Sequence, residues 1–366
     1  MSSPLRVGLL ASALDGGGGM GRFTRELIGS LGRRTEIELI PVVPPEARAT
    51  LDALAVPNAR EVITIRGRGQ VDRALWERFR LGELLGRAGV DVIHGTKHLL
   101  PRTQLPTVLT VHDVMAITSP QQYALAKRLL LPRFFRAALR SADVLVAVSE
   151  STASRLDRLD PAFGSKTVVA QNGVSIDLMS VAPVEPRATP DGPFALVVGD
   201  LSPRKNVSFL ADIWDRVAAA TNGMKLVAVG PDGWRGSATL RALERAADRG
   251  QAIWAGRVGD AELRWYYEHA TVVLAPSVEE GFGLPVAEAL AFGVPVIASD
   301  DPALKEVAQG RAVHLSPRDA SAWIEAIASA AKGGTPRPTP PTFPSWQEHA
   351  ARTVDAYRQA IESRKR

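Results

Sequence analysis

The chain has no cysteine among its 366 residues. That absence excludes disulfide staples, thiolate metal sites and cysteine nucleophiles, and it fits a reducing compartment. No uninterrupted apolar run approaches the roughly 18 residues that a membrane-spanning helix needs. The opening MSSPLRVGLLASAL holds one Arg and a short apolar run that reads as a first strand, with no signal-peptide cleavage pattern. A cytoplasmic protein is the expectation. Also missing is a basic, aromatic-rich motif of the kind that reads nucleic acid, so no nucleic-acid partner is expected. No D-x-D pair flanked by apolar strands occurs, which favours metal-independent chemistry without a resident cofactor.

What is present narrows the class. A chain of this length exceeds what one hydrophobic core usually supports, so two domains are expected. Its 45% apolar and 23% charged residues match a soluble globular protein rather than a disordered one. The net charge of +5 favours anionic partners such as nucleotide phosphates or acidic lipid headgroups, without choosing among them.

Short apolar runs alternate with helical segments, the pattern of parallel sheets covered by helices. In the first half the strands read as 6–12, 36–43, 91–95, 106–113, 143–149 and 166–172, with helices at 21–34, 74–89 and 121–142. The Pro-rich stretch 181–193 suits an extended connection. Strands then resume at 194–200, 225–230, 251–256, 271–277 and 294–300. The rhythm predicts an N-terminal domain over 1–183, a linker over 184–193 and a C-terminal domain over 194–344. A last helix is predicted over 345–363. Two such α/β domains imply ligand binding at the carboxyl ends of their strands, in a cleft between them.

The stretch EEGFGLPVAEALAFGVPVIASD, 279–300, follows a strand-like run, TVVLAPS. Gly281 and Gly283 permit positive φ or close approach of a ligand, and Pro285 suits the first position of a helix that Gly293 would end. The helix N-terminus then offers free N–H groups to phosphate or polar oxygens. Glu280 before the helix and Glu288 inside it are either favourable dipole charges or the two grips on one polyhydroxylated ligand. Arg204 and Lys205 follow the strand FALVVGD. They are either a solvated pair or a diphosphate clamp. Four glycines, Gly16 to Gly19, precede the first helix without completing a dinucleotide fingerprint. They are either a mobile loop that closes over phosphate or acceptor, with Arg22 beside it, or merely a flexible turn.

E-G-F-G-L-P-x-x-E followed by A-x-x-x-G-x-P-V-I-A-S resembles the E-x7-E signature of family 4 retaining glycosyltransferases of the GT-B fold. GGGMGRFTREL (17–27), VHD (111–113), AVSEST (147–152), QNGVS (171–175) and VGDLSPRKN (198–206) resemble that family's other landmarks in order. SWQEHAARTVDAY resembles its C-terminal helix, which crosses back to the first domain. The resemblance implies two Rossmann-like parallel-sheet domains facing a central cleft, the first for acceptor and the second for nucleotide sugar.

On that resemblance, Glu280 contacts donor-sugar hydroxyls and Glu288 the ribose. Backbone groups of Phe282, Gly283 and Leu284 orient the sugar and diphosphate. Gly18, Gly19, Arg204 and Lys205 adjoin the donor, and Val258 neighbours the base. His112 lies near donor sugar and acceptor, with a general-base role to be tested. Where family members carry a further Arg, this chain has Asp200. The implied reaction is transfer of a hexose from a nucleoside diphosphate sugar with retention. Retaining glycosidases use two carboxylates ~5 Å apart, one of them a nucleophile. Here the resemblance implies a front-face displacement in which the leaving phosphate helps deprotonate the acceptor. The expected donor is GDP-mannose ahead of a UDP-sugar. The expected acceptor is a glycan or a lipid-linked one in bacterial surface polysaccharide assembly. The segment 124–140 carries five cations among Leu and Phe and is either a peripheral contact with an anionic membrane or a packed helix broken near Pro132. The competing readings are an epimerase or phosphorylase of the same architecture and a non-enzymatic basic module that binds nucleic acid or lipid.

Overall fold

The structure, a computed structural model, describes residues 3–123, 125–233 and 236–365. It divides into two compact units, Met1–Gly173 with Pro344–Arg366, and Val174–Phe343.

The first unit is built on β1 (Leu5–Leu10), β2 (Ile37–Val43), β3 (Ile63–Thr64), β4 (Val92–Gly95), β5 (Thr107–Val111), β6 (Val144–Ala147) and β7 (Thr167–Val169). They form one sheet in the order β3-β2-β1-β4-β5-β6-β7, with every neighbouring pair parallel. Val7 is in register with Leu39 on one side and with Val92 on the other. Helices cover both faces of a parallel sheet, so its strands can be apolar throughout. VLVA of β6 and TVLTV of β5 are buried at every position.

The helix Trp346–Lys365 belongs to this unit although it follows the second in sequence. Trp346, Ala350, Val354, Tyr357 and Ala360 form its buried stripe, at the three- and four-residue spacing of one helical face. Inside the unit, the Tyr357 hydroxyl lies 2.8 Å from His94 Nδ1, whose Nε2 lies 2.8 Å from Thr110 Oγ1. Cutting Tyr357 to Ala would cost roughly 3–5 kcal/mol through the cavity and the orphaned histidine.

The second unit carries β8 (Phe194–Val198), β9 (Lys225–Val229), β10 (Ala252–Gly256), β11 (Val272–Ala275), β12 (Val296–Ser299) and β13 (Val313–Leu315). Their order is β10-β9-β8-β11-β12-β13, again all parallel. Buried Trp214 and Trp323 anchor its core, and each indole N–H is satisfied by a carbonyl, of Met224 at 3.0 Å and of Ser316 at 2.9 Å. Both sheets reverse their strand order once, between β1 and β4 and between β8 and β11. Loops leaving the carboxyl ends at such a reversal diverge and leave room for a ligand.

Four features differ from the sequence expectation. Edge strands β3 and β13 were not anticipated, because runs of two and three residues carry no readable period. The helix expected over 74–89 is two helices, Gln70–Phe79 and Leu81–Arg87, separated at Arg80. The helix Leu125–Ser141 runs through Pro132 without ending, while Ala124, the start of the basic segment, lies outside the described residues. The units part at Gly173 and Val174 rather than within 184–193. The intervening segment is fastened to the second unit by hydrogen bonds. Arg264 donates to the carbonyls of Met179 and Val181, both at 2.8 Å, and Tyr266 donates to that of Ala188 at 2.9 Å. Proline content marks an extended path but not which core holds it.

Candidate functional site

Three candidate charged side chains of the second unit, Arg204, Lys205 and Glu280, stand on the two loops that leave β8 and β11. After β8 the chain passes Gly199 and Asp200 into a single tight helical turn, Pro203–Lys205. Asp200 shapes that turn. Its Oδ1 accepts from the Ser202 N–H at 3.1 Å and from the Ser202 hydroxyl. Asn206 ends the turn in the left-handed conformation, φ 54°, and its Nδ2 donates to the carbonyls of Pro276 at 3.2 Å and Pro317 at 3.1 Å. The Val278 N–H donates to the Arg204 carbonyl at 2.9 Å. The two loops are therefore stapled by main chain and amide before any charge is counted.

That stapling brings three ionic groups together. Arg204 Nη1 donates to Glu280 Oε2 at 2.8 Å, and Lys205 Nζ donates to Glu280 Oε1 at 2.6 Å. Gly199, at φ +148°, allows this: a Cβ there would sit 3.1 Å from Lys205 Cε. Glu280 is 7% exposed. Burial pushes its pKa up, but Lys205, Arg204 and a hydrogen bond from Ser277 outweigh that and hold it down at about 2. The carboxylate is thus ionised at working pH and holds both cations, on loops that also carry Asp200 and Glu279.

The helix Leu284–Ala291 starts at the same lip. Gly283 caps it at φ +95°, where a Cβ would meet Leu304 Cδ2 at 2.5 Å. Leu284 is its first residue and Pro285 its second, one place later than the sequence suggested. Phe282 is buried and packs the loop down. Glu288, one turn in and 1% exposed, accepts from the Tyr267 hydroxyl at 2.7 Å. Within this unit Gly199, Lys205, Ser277, Glu280, Gly283 and Pro285 line a small crevice. Val258 lies half-buried in the loop between β10 and the helix Asp260–His269.

The remaining candidates belong to the first unit and follow β1 and β5. Gly18 and Gly19 are exposed and open the helix Gly18–Leu31 just after β1. The Arg25 guanidinium donates to the carbonyls of Leu14 at 3.3 Å and Gly16 at 3.4 Å, which holds the glycine loop against its helix. His112 follows β5. Its Nε2 lies 3.1 Å from the Thr96 carbonyl, an acceptor only, so that nitrogen carries the proton. Phe23 packs edge-on against the imidazole at 4.4 Å and touches Trp346 and His349 as well. Burial, then neighbouring His98, lowers the His112 pKa to about 3, against the opposing pull of the Thr96 bond. The ring is neutral at pH 7 and is a weak base.

Sequence reasoning brought forward Glu280, Arg204, Lys205 and Glu288. It missed Ser277, Asn206 and Tyr267 of the second unit and Phe23 of the first. Asn206 was legible as part of PRKN. The other three carry no local signal, because a single Ser, Tyr or Phe in an apolar run reads as core.

Residues 17–178 match the family profile described as Glycosyltransferase Family 4, and residues 192–332 match the one described as Glycosyl transferases group 1. The O-antigen chain mannosyltransferase B of Escherichia coli is 27% identical over 324 residues, which cover 83% of this chain and 84% of that one. The sucrose-phosphate synthase of Thermosynechococcus elongatus superposes with a TM-score of 0.69 at 20% identity, over 98% of this chain and 97% of its own. Anabaena Alr3699/HepE, in complex with UDP-glucose, does so with a TM-score of 0.64 at 16% identity, over 99% and 97%. At those identities the superpositions speak for a common GT-B fold, two parallel-sheet α/β domains, and the profiles speak for the chemistry. The chain belongs to the family 4 glycosyltransferases of that fold.

Proposed function

We propose that the protein transfers mannose from GDP-mannose, with retention of anomeric configuration, to a glycan or lipid-linked acceptor of a bacterial surface polysaccharide. The observation that carries this reading is the meeting of Arg204, Lys205 and Glu280 at the strand-order reversal of the second sheet. The diphosphate takes the cation pair, Glu280 holds hydroxyls of the hexose, and Glu288 holds the ribose. The main chain at Phe282, Gly283 and Leu284 orients the sugar, and Val258 adjoins the base. Relatedness to an O-antigen chain mannosyltransferase supports mannose and surface polysaccharide.

In the reaction, the bond from the anomeric carbon to the diphosphate oxygen breaks and the acceptor oxygen bonds to the same face of that carbon. The acceptor proton passes to the leaving phosphate. Arg204 and Lys205 stabilise the charge that builds there, without a metal. Glu280 is a poor nucleophile, because both oxygens are held by cations, so its task is positioning.

A lipid-linked acceptor also gives a use to the helix Leu125–Ser141. Phe135, Ala138 and Leu139 pack its inner side, while Leu129, Leu130 and Phe134 are exposed beside exposed Arg128 and Arg133. An exposed apolar stripe with arginines fits peripheral contact with an anionic membrane. Among the described residues no helix is long and apolar enough to cross one.

The test is incubation with GDP-[14C]mannose and a membrane lipid extract. Label transferred to an acceptor in the α configuration supports the reading. Release of an epimerised nucleotide sugar, or transfer only from UDP-glucose, replaces the reaction or the donor.

A further inference from the structure

Glu288 poses a physical difficulty. A carboxylate with 1% exposure must find its hydrogen bonds inside the protein, and a wrongly turned carboxylate would present the wrong oxygen to any ligand. Tyr267, itself fully buried on the helix Asp260–His269, meets it at 2.7 Å. The phenol has one proton and Glu288 Oε2 is its near acceptor, since the alternative, the Pro285 carbonyl, lies at 3.5 Å. The phenol ring is itself held. Phe292 stacks on it with centroids 5.5 Å apart and planes 16° from parallel, and the Arg264 guanidinium lies 5.8 Å from the other ring of that stack.

We propose that Tyr267 is a positioning residue for nucleotide recognition: by binding Oε2 it fixes the rotation of the Glu288 carboxylate, and thereby sets the preference for a ribose over a sugar lacking the 2′ and 3′ hydroxyls. The proposal rests on the reading of Glu288 as the ribose contact. It makes Tyr267 a determinant of specificity that never touches the ligand. Its neighbour Tyr266 has the same chemistry and burial but donates to the Ala188 carbonyl, away from Glu288, and so provides an internal control.

The experiment is calorimetric titration of the full-length protein and its variants with GDP and with 2′,3′-dideoxy-GDP. A hydrogen bond to a charged acceptor predicts that wild type binds GDP about tenfold or more tightly than the dideoxy form. Tyr267→Phe keeps the ring and its stack, and the ratio should fall to about twofold or less through weaker GDP binding, with dideoxy-GDP unchanged. Tyr266→Phe should keep the wild-type ratio. Glu288→Gln should lose the ratio, and adding Tyr267→Phe to it should change nothing further. In turnover, Tyr267→Phe should raise the donor KM with kcat nearly constant. An unchanged ratio in Tyr267→Phe, with wild type still preferring ribose, overturns the positioning role and leaves the site reading intact. No ribose preference in wild type, or no GDP binding, overturns the reading of Glu288 and this proposal together.

Discussion

The two units use one strand plan and dress it in opposite ways. At the second sheet the lip is ionic: two cations on a buried glutamate, stapled by Asn206 and main-chain bonds. In the first unit the grouping is one of neutral histidines and aromatics, one strand past the reversal: His112, after β5, packs on Phe23, and Phe23 in turn on Trp346 and His349 of the C-terminal helix, with Lys97 as a nearby charge. Burial lowers the pKa of His94, His112 and His349 to about 3, 3 and 4, so these rings carry no charge at pH 7. The same topology thus carries an ionic cluster in one unit and a neutral, aromatic one in the other, and the difference lies in loop and helix residues, not in the sheets.

The contrast breaks most sharply at Glu280. Glu280→Ala should lower transfer at least a hundredfold, by loss of a contact at the reacting sugar. GDP affinity should hold or rise, because a negative charge beside the phosphate site has gone. Stability should fall by roughly 3–5 kcal/mol, since Arg204 and Lys205, whose side chains are 23% and 13% exposed, lose their buried counter-ion. Kinetics, GDP titration and thermal melting check the three parts. Lys205→Ala should weaken GDP binding about tenfold to a hundredfold and leave guanosine binding unchanged, whereas equal losses for both would remove Lys205 from the phosphate site.

At the neutral cluster the expected effects are smaller. His112→Gln keeps a hydrogen-bonding side chain without a titratable ring. We expect a loss of about tenfold in kcat/KM and no displacement of the pH–rate profile, because the wild-type ring does not titrate in the working range. A shifted acidic limb in the variant would return His112 to the role of general base.

Acid should separate the units as well. The three histidines have folded-state pKa values below the ordinary 6.5, so the unfolded chain binds more protons below that pH. Their contribution to stability is present above about pH 6.5 and is lost as the pH falls toward 4. Glu280, held at about 2 against an ordinary 4.5, gives up its contribution only below about pH 4.5. Hydrogen exchange at pH 7 and pH 5, corrected for intrinsic rate, should show protection falling first in Trp346–Ala360 and not around β8 and β11.

Much of this was readable in the chain because it is written locally. Strands buried on both faces announce themselves as runs such as LVV and VLVA. The acidic and basic members of the ionic lip sit in short motifs next to glycine and proline. In the first unit His112 and the returning C-terminal helix were put forward from the resemblance, but the contacts between them were not readable. His94 and Tyr357 are 263 positions apart, and the contacts of Phe23 with Trp346 and His349 depend on a helix that returns to the first unit after the second is complete. The helix read over 121–142 is present as Leu125–Ser141, and the break near Pro132 does not occur because tertiary packing of Phe135, Ala138 and Leu139 overrides the local penalty of a missing N–H.

The most direct test is a crystal structure of the protein with GDP. The account predicts β-phosphate oxygens within about 3.2 Å of Arg204 and Lys205 nitrogens, both drawn at least partly away from Glu280, with the ribose at Glu288. Finding the diphosphate bound elsewhere, with Arg204 and Lys205 still closed on Glu280, would contradict it.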